Sequence, residues 1–186
     1  MQGANTNAVR CEGGIGDNGG MAKKEHATGA TPAVRALTQA GIEHTLHPYE
    51  HNPASGMSYG LEAATALGVD PAQVFKTLCA HVDGRLCVGI VPVNGMLNLK
   101  ALASALGGKK AVMAQLADAE RATGYVAGGI SPIGQKTLAP TALDDSALAF
   151  DVIYVSGGRR GLDVGLTPAD LITVTKAVTA PIARAD

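Results

Sequence analysis

Few side chains in this sequence are of the kind that do chemistry, and fewer are spaced to do it together. Cys79, His81 and Cys87 suggest zinc, because thiolate and imidazole are the ligands zinc favours. They fall in two apolar runs, residues 75–82 and 85–93, either side of Asp83-Gly84, a dipeptide that favours a two-residue type I′ hairpin turn. That turn pairs Val82 with Arg85, His81 with Leu86 and Ala80 with Cys87. Cys79 and His81 then share one face and Cys87 takes the other, which disfavours both a common tetrahedral site and a disulfide. His44, His47 and His51 are loosely spaced and interrupted by Pro48. No metal and no other cofactor is expected.

Serine chemistry finds little support either. Gly129-Ile130-Ser131-Pro132-Ile133 lacks the closing glycine of a nucleophile elbow. Ser156-Gly157-Gly158-Arg159-Arg160-Gly161 resembles a phosphate-cradling turn but is no Walker motif. Asp144-Asp145 reads as a solvated loop rather than a catalytic pair of carboxylates. Two features remain. Lys76 stands in the apolar run Val74-Phe75-Lys76-Thr77-Leu78-Cys79-Ala80, where a lysine either snorkels to the strand end or faces a pocket to meet an anion. The apolar surroundings alone favour snorkelling. Residues 123–135 carry four glycines and one proline among short apolar residues. Such a loop suits a pocket wall whose amides turn toward one bound oxygen, and equally a buried crossover with tight turns.

The elements that must position these residues follow from caps and periodicity. Thr31-Pro32 opens a helix that ends at Gly41, with Ile42 as a Schellman contact. Residues 42–49 read as a strand, 50–60 as a loop, and 61–67 as a helix stopped by Gly68. Asp70 caps a further helical turn, with Gln73 at the capping-box position. After the hairpin, Asn98 caps a helix over 99–106 that ends at Gly107-Gly108; a strand over 110–113 and a helix over 114–123 follow. Strands over 149–156 and 162–166 flank residues 157–161, and Thr167-Pro168 starts a last helix. This order argues an α+β domain with one mixed sheet.

The totals narrow the function. A chain of 186 residues with 46 % hydrophobic and 3 % aromatic residues builds one domain around a core of Val, Leu, Ile and Ala. The formal net charge is −1, and without residues 1–20 the chain carries 14 basic and 14 acidic residues. A neutral domain has no footprint for tight nonspecific nucleic-acid binding, so no DNA partner is expected, although one nucleic-acid end is still within reach. Three cysteines are too few for a disulfide framework. Neither a membrane span nor a signal peptide is apparent, which makes a cytoplasmic protein the default. Residues 1–28 show no apolar period and read as disordered, leaving 29–186 as the domain. The G-x-G-x-x-G match at residues 14–19 follows no strand and is taken as chance.

Five motifs in order then resemble one family. They are Thr31-Pro32-Ala33-Val34, Tyr49-Glu50-His51, Val74-Phe75-Lys76-Thr77-Leu78, Gly124-Tyr125-Val126-Ala127-Gly128-Gly129-Ile130-Ser131-Pro132, and Tyr154-Val155-Ser156-Gly157-Gly158-Arg159-Arg160-Gly161-Leu162-Asp163. Together they resemble the YbaK/EbsC proteins, bacterial deacylases of Cys-tRNA(Pro) related to the editing insertion domain of prolyl-tRNA synthetase. The resemblance implies a barrel-like mixed sheet surrounded by helices. It also implies a trans-editing enzyme whose partners are the 3′ aminoacyl end of mischarged tRNA and prolyl-tRNA synthetase. Lys76 matches the family's essential lysine, so the resemblance reverses the snorkelling preference. Gly128 matches the glycine whose amide holds the substrate carbonyl. Tyr49, Tyr59, Thr77, Tyr125, Gly129, Ser156 and Asp163 fall on or near pocket positions. Tyr59 stands where the family usually has Phe, after a loop one residue longer than usual.

The mechanism implied by the resemblance needs no protein nucleophile. The substrate's cysteine thiol attacks its own aminoacyl ester, and the protein orients it and polarises the carbonyl. Two alternatives remain at this point. One is a deacylase for Ala or Ser. The other is a module that binds tRNA ends or the synthetase without turnover.

Overall fold

The computed structural model describes residues 31–185. The expectations for residues 1–28, disorder and the glycine match at 14–19, lie outside the described residues. Helix α1 (Pro32–Gln39) starts where its cap predicts, with the Thr31 hydroxyl accepting the Val34 N–H at 3.2 Å. It ends at Gly41, φ +66°, where the Ile42 N–H donates to the Leu37 carbonyl at 3.0 Å. The Thr31 hydroxyl also donates to the Gly157 carbonyl at 2.6 Å, which ties the helix to the far end of the chain. Strand β1 (Thr45–Pro48) is shorter than residues 42–49. Helix α2 (Tyr59–Leu67) begins inside the expected loop, after a 3-10 turn at Pro53–Ser55. Asp70 caps the turn Pro71–Gln73 as expected, but the Gln73 side chain donates to the Val152 carbonyl instead of closing a capping box.

The hairpin is the centre of the fold. Strands β2 (Val74–Val82) and β3 (Arg85–Pro92) pair in the predicted register, Val82 opposite Arg85 and Ala80 opposite Cys87. Asp83 and Gly84 take φ of +47° and +84°, the two positive values a type I′ turn requires. The Asp83 carboxylate braces the turn by accepting the N–H groups of Lys109 and Lys110 at 2.8 and 3.0 Å. Cys79 packs with Leu37, Leu143 and Val155 on one face, and Cys87 with Leu102 and Ile182 on the other.

Beyond the hairpin come β4 (Gly95–Leu97), α3 (Leu99–Ala105), β5 (Ala111–Met113) and α4 (Leu116–Thr123). After the glycine loop come β6 (Thr141–Asp144), β7 (Ile153–Arg159), β8 (Leu162–Leu166), α5 (Pro168–Thr175), β9 (Val178–Ala180) and β10 (Ala183–Ala185). The result is a single α+β domain with one mixed sheet in the order β1-β8-β7-β2-β3-β6-β9. Strand β5 adds to the far half of β2, and β4 with β10 makes a separate pair. Strand β2 is antiparallel to β3 and parallel to β7, so the segment carrying Lys76 lies between two paired neighbours. No helix among the described residues is long and apolar enough to cross a membrane.

Three further expectations are corrected. The strand expected over 149–156 is shifted, because Asp145–Ala149 forms a 3-10 turn and β7 continues through Gly157 and Gly158. A register shift between Ser156 and Arg159 lets the two glycines bulge without ending the strand. The helix expected over 114–123 begins only at Leu116. Asp144 is not solvated: it is 4 % exposed, and its carboxylate accepts the N–H groups of Ile182 at 2.9 Å and Ala183 at 2.6 Å. A buried carboxylate is tolerated only with such donors.

Candidate active site

Strand β2, helix α2, strand β8 and the glycine loop enclose a cavity of about 310 Å³. Lys76 and Thr77 line it from β2. The half-buried Lys76 ammonium donates to the Val93 carbonyl at 3.3 Å, just past the end of β3. That carbonyl is held in place because the Val93 N–H donates to the Val74 carbonyl at 2.8 Å. The Thr77 hydroxyl is buried and has no hydrogen-bond partner among the described residues. An unmade hydrogen bond of this kind costs about 1–3 kcal/mol in the free protein, and a bound polar ligand would recover it.

The opposite wall is the turn at residues 126–129, closed by the Gly129 N–H donating to the Val126 carbonyl at 2.9 Å. Gly128 takes φ +78°, the left-handed conformation a type II turn requires at its third position. A Cβ there would lie 2.8 Å from the Tyr59 ring. The Gly128 N–H donates to no protein acceptor among the described residues. Side chains brace the residue before it: the Ala127 N–H donates to Glu120 Oε1 at 2.8 Å, and Arg160 Nε donates to the Ala127 carbonyl at 2.9 Å. The Arg160 guanidinium also lies over the Tyr59 ring, 5.1 Å from its centroid. On another side the His51 ring sits 5.2 Å from Tyr59.

The polar end of the cavity carries the buried carboxyl of Asp163, and a second buried carboxyl, that of Glu62, lies behind the lining. Asp163, 5 % exposed and opposite Ser156 in the β7–β8 ladder, has its pKa raised to about 6 by desolvation. Tyr49 beside it is pushed up to about 12, first by burial, then by the charges of Asp163 and Glu62. Glu62 lies outside the lining. It accepts the Asn52 N–H at 2.5 Å and pairs with His51 Nδ1 at 2.7 Å, and these two bonds hold its carboxyl below the usual range. This knot fastens the loop after Tyr49 to helix α2, and so sets where Tyr59 stands.

The cavity therefore brings together Tyr49, Tyr59, Lys76, Thr77, Gly128, Ser156 and Asp163 from separate parts of the chain. Tyr125 and Gly129 do not line it. Tyr125 is 4 % exposed and its hydroxyl donates to the Ile133 carbonyl at 2.7 Å, which pins the loop from behind. A Cβ on Gly129 would lie 2.8 Å from Arg159 Cα, so this glycine lets the loop press against the β7–β8 turn. Sequence reasoning missed the lining residues Ser58, Gly60 and Leu116 and the braces Glu120 and Arg160. A carboxylate on a helix and an arginine in a turn carry no signal until the loop between them is folded.

Residues 55–174 match the family model described as the aminoacyl-tRNA editing domain. The chain is 36 % identical over 167 residues, 87 % of its length and 98 % of the relative's, to EbsC of Enterococcus faecalis, a proposed Cys-tRNA(Pro)/Cys-tRNA(Cys) deacylase. A solved structure described as a proposed trans-editing enzyme for prolyl-tRNA synthetase superposes with TM-score 0.71 at 23 % identity, over 82 % of this chain and 95 % of that one. The hypothetical protein APE2540 superposes with TM-score 0.74 at 24 % identity, over 82 % and 99 %. At these identities the two structures speak for the fold. The family match spans more than half of the chain, and the EbsC match nearly all of both chains: this chain belongs to the aminoacyl-tRNA editing domain family.

Proposed function

We propose that this aminoacyl-tRNA deacylase removes cysteine from mischarged tRNA(Pro) in the cytoplasm, acting in trans beside prolyl-tRNA synthetase. The observation that carries the reading is the cavity itself. It joins a cationic strand end at Lys76 to an unoccupied backbone donor at Gly128, and no histidine is among its lining residues. The lining hydroxyls of Ser58, Thr77 and Ser156 therefore have no imidazole beside them to act as base. Such a site orients and polarises a substrate better than it attacks one.

In this reading Lys76 anchors the terminal adenosine or its phosphate. The Gly128 N–H holds the ester carbonyl, with Tyr49, Tyr59, Thr77, Ser156 and Asp163 around the aminoacyl group. The substrate sulfur forms a bond to its own carbonyl carbon, and the ester C–O bond breaks. The thiol proton ends on the released ribose hydroxyl, leaving free tRNA and a cyclic thiolactone. A cavity cannot separate Cys from Ser or Ala sharply by size, since such differences give about 1–3 kcal/mol. The thiolate, far more nucleophilic than a hydroxyl near neutral pH, supplies the discrimination. The test is deacylation of Cys-, Ser- and Ala-tRNA(Pro) side by side. Rapid loss of Cys alone is expected, and comparable rates on all three would end the thiol-assisted mechanism.

A further inference from the structure

The atom that Arg160 holds belongs to the same peptide group as the Gly128 N–H. The carbonyl of Ala127 and the amide of Gly128 are the two ends of one planar unit. Arg160 Nε donates to the carbonyl end at 2.9 Å. The preceding peptide plane is held too, by Glu120 Oε1 on the Ala127 N–H at 2.8 Å. Gly128 lines the cavity at the other end, and its N–H has no protein acceptor among the described residues. From this geometry we infer that Arg160 is a positioning residue for deacylation: its guanidinium fixes and polarises the Ala127–Gly128 peptide, so that the Gly128 N–H is aimed and strengthened as a donor before substrate arrives.

The physical argument has two parts. Rotation of a turn's central peptide is soft, because the flanking dihedrals can compensate one another, and glycine at one side makes it softer. Bonds from Glu120 and Arg160 to two successive peptide planes remove that freedom, and preorganisation of this kind is what a carbonyl-stabilising donor requires. In addition, a cation at the carbonyl oxygen draws electron density along the amide and makes its N–H more acidic, as hydrogen bonds in a chain strengthen one another. Arg160 is itself held, since its guanidinium lies over the Tyr59 ring. Lysine could not do the same, because a point charge has no planar fork to rest on a ring while donating from Nε.

This inference rests on the deacylase reading, so its test has one arm with substrate and one without. Steady-state deacylation of Cys-tRNA(Pro) is compared in wild type, Arg160→Ala, Arg160→Lys and Arg159→Met. Arg160→Ala is expected to lower kcat about ten-fold, with KM and melting temperature little changed and part of kcat restored by added guanidinium ion. Arg160→Lys is expected to stay low, and Arg159→Met, which removes a neighbouring exposed cation, to stay near wild type. Without substrate, the ¹⁵N resonance of Gly128 in Arg160→Ala is expected to move upfield, beyond the scatter of other loop amides. An unmoved Gly128 resonance, an unchanged kcat, or a loss confined to KM would overturn the inference; the last would make Arg160 a contact to the tRNA backbone. If wild type leaves Cys-tRNA(Pro) intact, the substrate reading fails, and the resonance arm still decides the role of Arg160.

Discussion

The two walls of the cavity are built on different principles. The wall carrying Lys76 and Thr77 is a strand paired on one side with β3 and on the other with β7. Its backbone is fixed by ladders that depend on no particular side chain. The wall carrying Gly128 is a turn with one internal backbone bond, and its shape hangs on Glu120, Tyr125, Arg160 and the absence of a Cβ at two glycines. The strand presents side chains on a rigid frame; the turn presents its own backbone on a frame of side chains. A substitution on the first wall removes a group and leaves the wall. A substitution on the second removes the wall's shape.

The largest effects test that distinction directly. Lys76→Ala and Gly128→Val are both expected to abolish deacylation. They should part company in stability. Lys76→Ala leaves the ladders intact and should shift unfolding by less than about 1 kcal/mol. Gly128→Val puts a β-branched side chain at φ +78° and against the Tyr59 ring, which should cost about 1–3 kcal/mol. Chemical unfolding of both beside the deacylation assay checks this, and equal stability losses would break the comparison.

An effect read in stability rather than in lost deacylation concerns what the strand side can tolerate. Asp163 has a folded pKa of about 6 against a usual 3.8, so burial disfavours its charge. Between those values the folded state binds more protons than the unfolded state, and stability falls as pH rises through the window. At pH 7 the ionised carboxylate costs about 3 kcal/mol, which the surrounding ladders absorb. Asp163→Asn should therefore be more stable than wild type at pH 7, and the difference should shrink toward pH 4. Urea unfolding of the two proteins at both pH values isolates this group from the other carboxyls. A constant difference would show that Asp163 is not the group that titrates.

The smallest effect expected is at Thr77. Replacing the unpartnered hydroxyl with a methyl in Thr77→Val should raise stability by about 1 kcal/mol, the low end of the cost of an unmade hydrogen bond, while deacylation falls. A clear loss of stability would mean that the hydroxyl is satisfied in the free protein.

How much of this was legible in the sequence differs along the same line. The hairpin register was readable because Asp83-Gly84 dictates a turn and the turn dictates every pair above it. Helix starts at Thr31, Asn98 and Thr167 were readable because a cap is a local signal. Strands β4, β6, β9 and β10 were not, for they are three or four residues long and defined by their partners rather than by alternation. Asp144 looked like a surface acid because its donors, Ile182 and Ala183, lie far along the chain. At the site, the roles proposed for Lys76 and Gly128 rest on resemblance, and the apolar surroundings of the lysine alone favour snorkelling. Tyr125 shows the limit of motif reading, since a motif residue can serve the shape of a loop from behind it.

The parallel pairing of β2 with β7, Val74 beside Tyr154, has a consequence for how the protein is made. The two segments lie roughly 80 residues apart, and contacts of such separation form slowly because a long loop must close first. A chain emerging from the ribosome can close the β2–β3 hairpin early, yet Lys76 has no cavity around it until Ser156 and Asp163 have followed. The site is therefore complete only once β7 and β8 have joined the sheet, and a chain terminated before β7 carries the lysine, the threonine and the glycine turn without the Ser156 and Asp163 that help enclose the pocket.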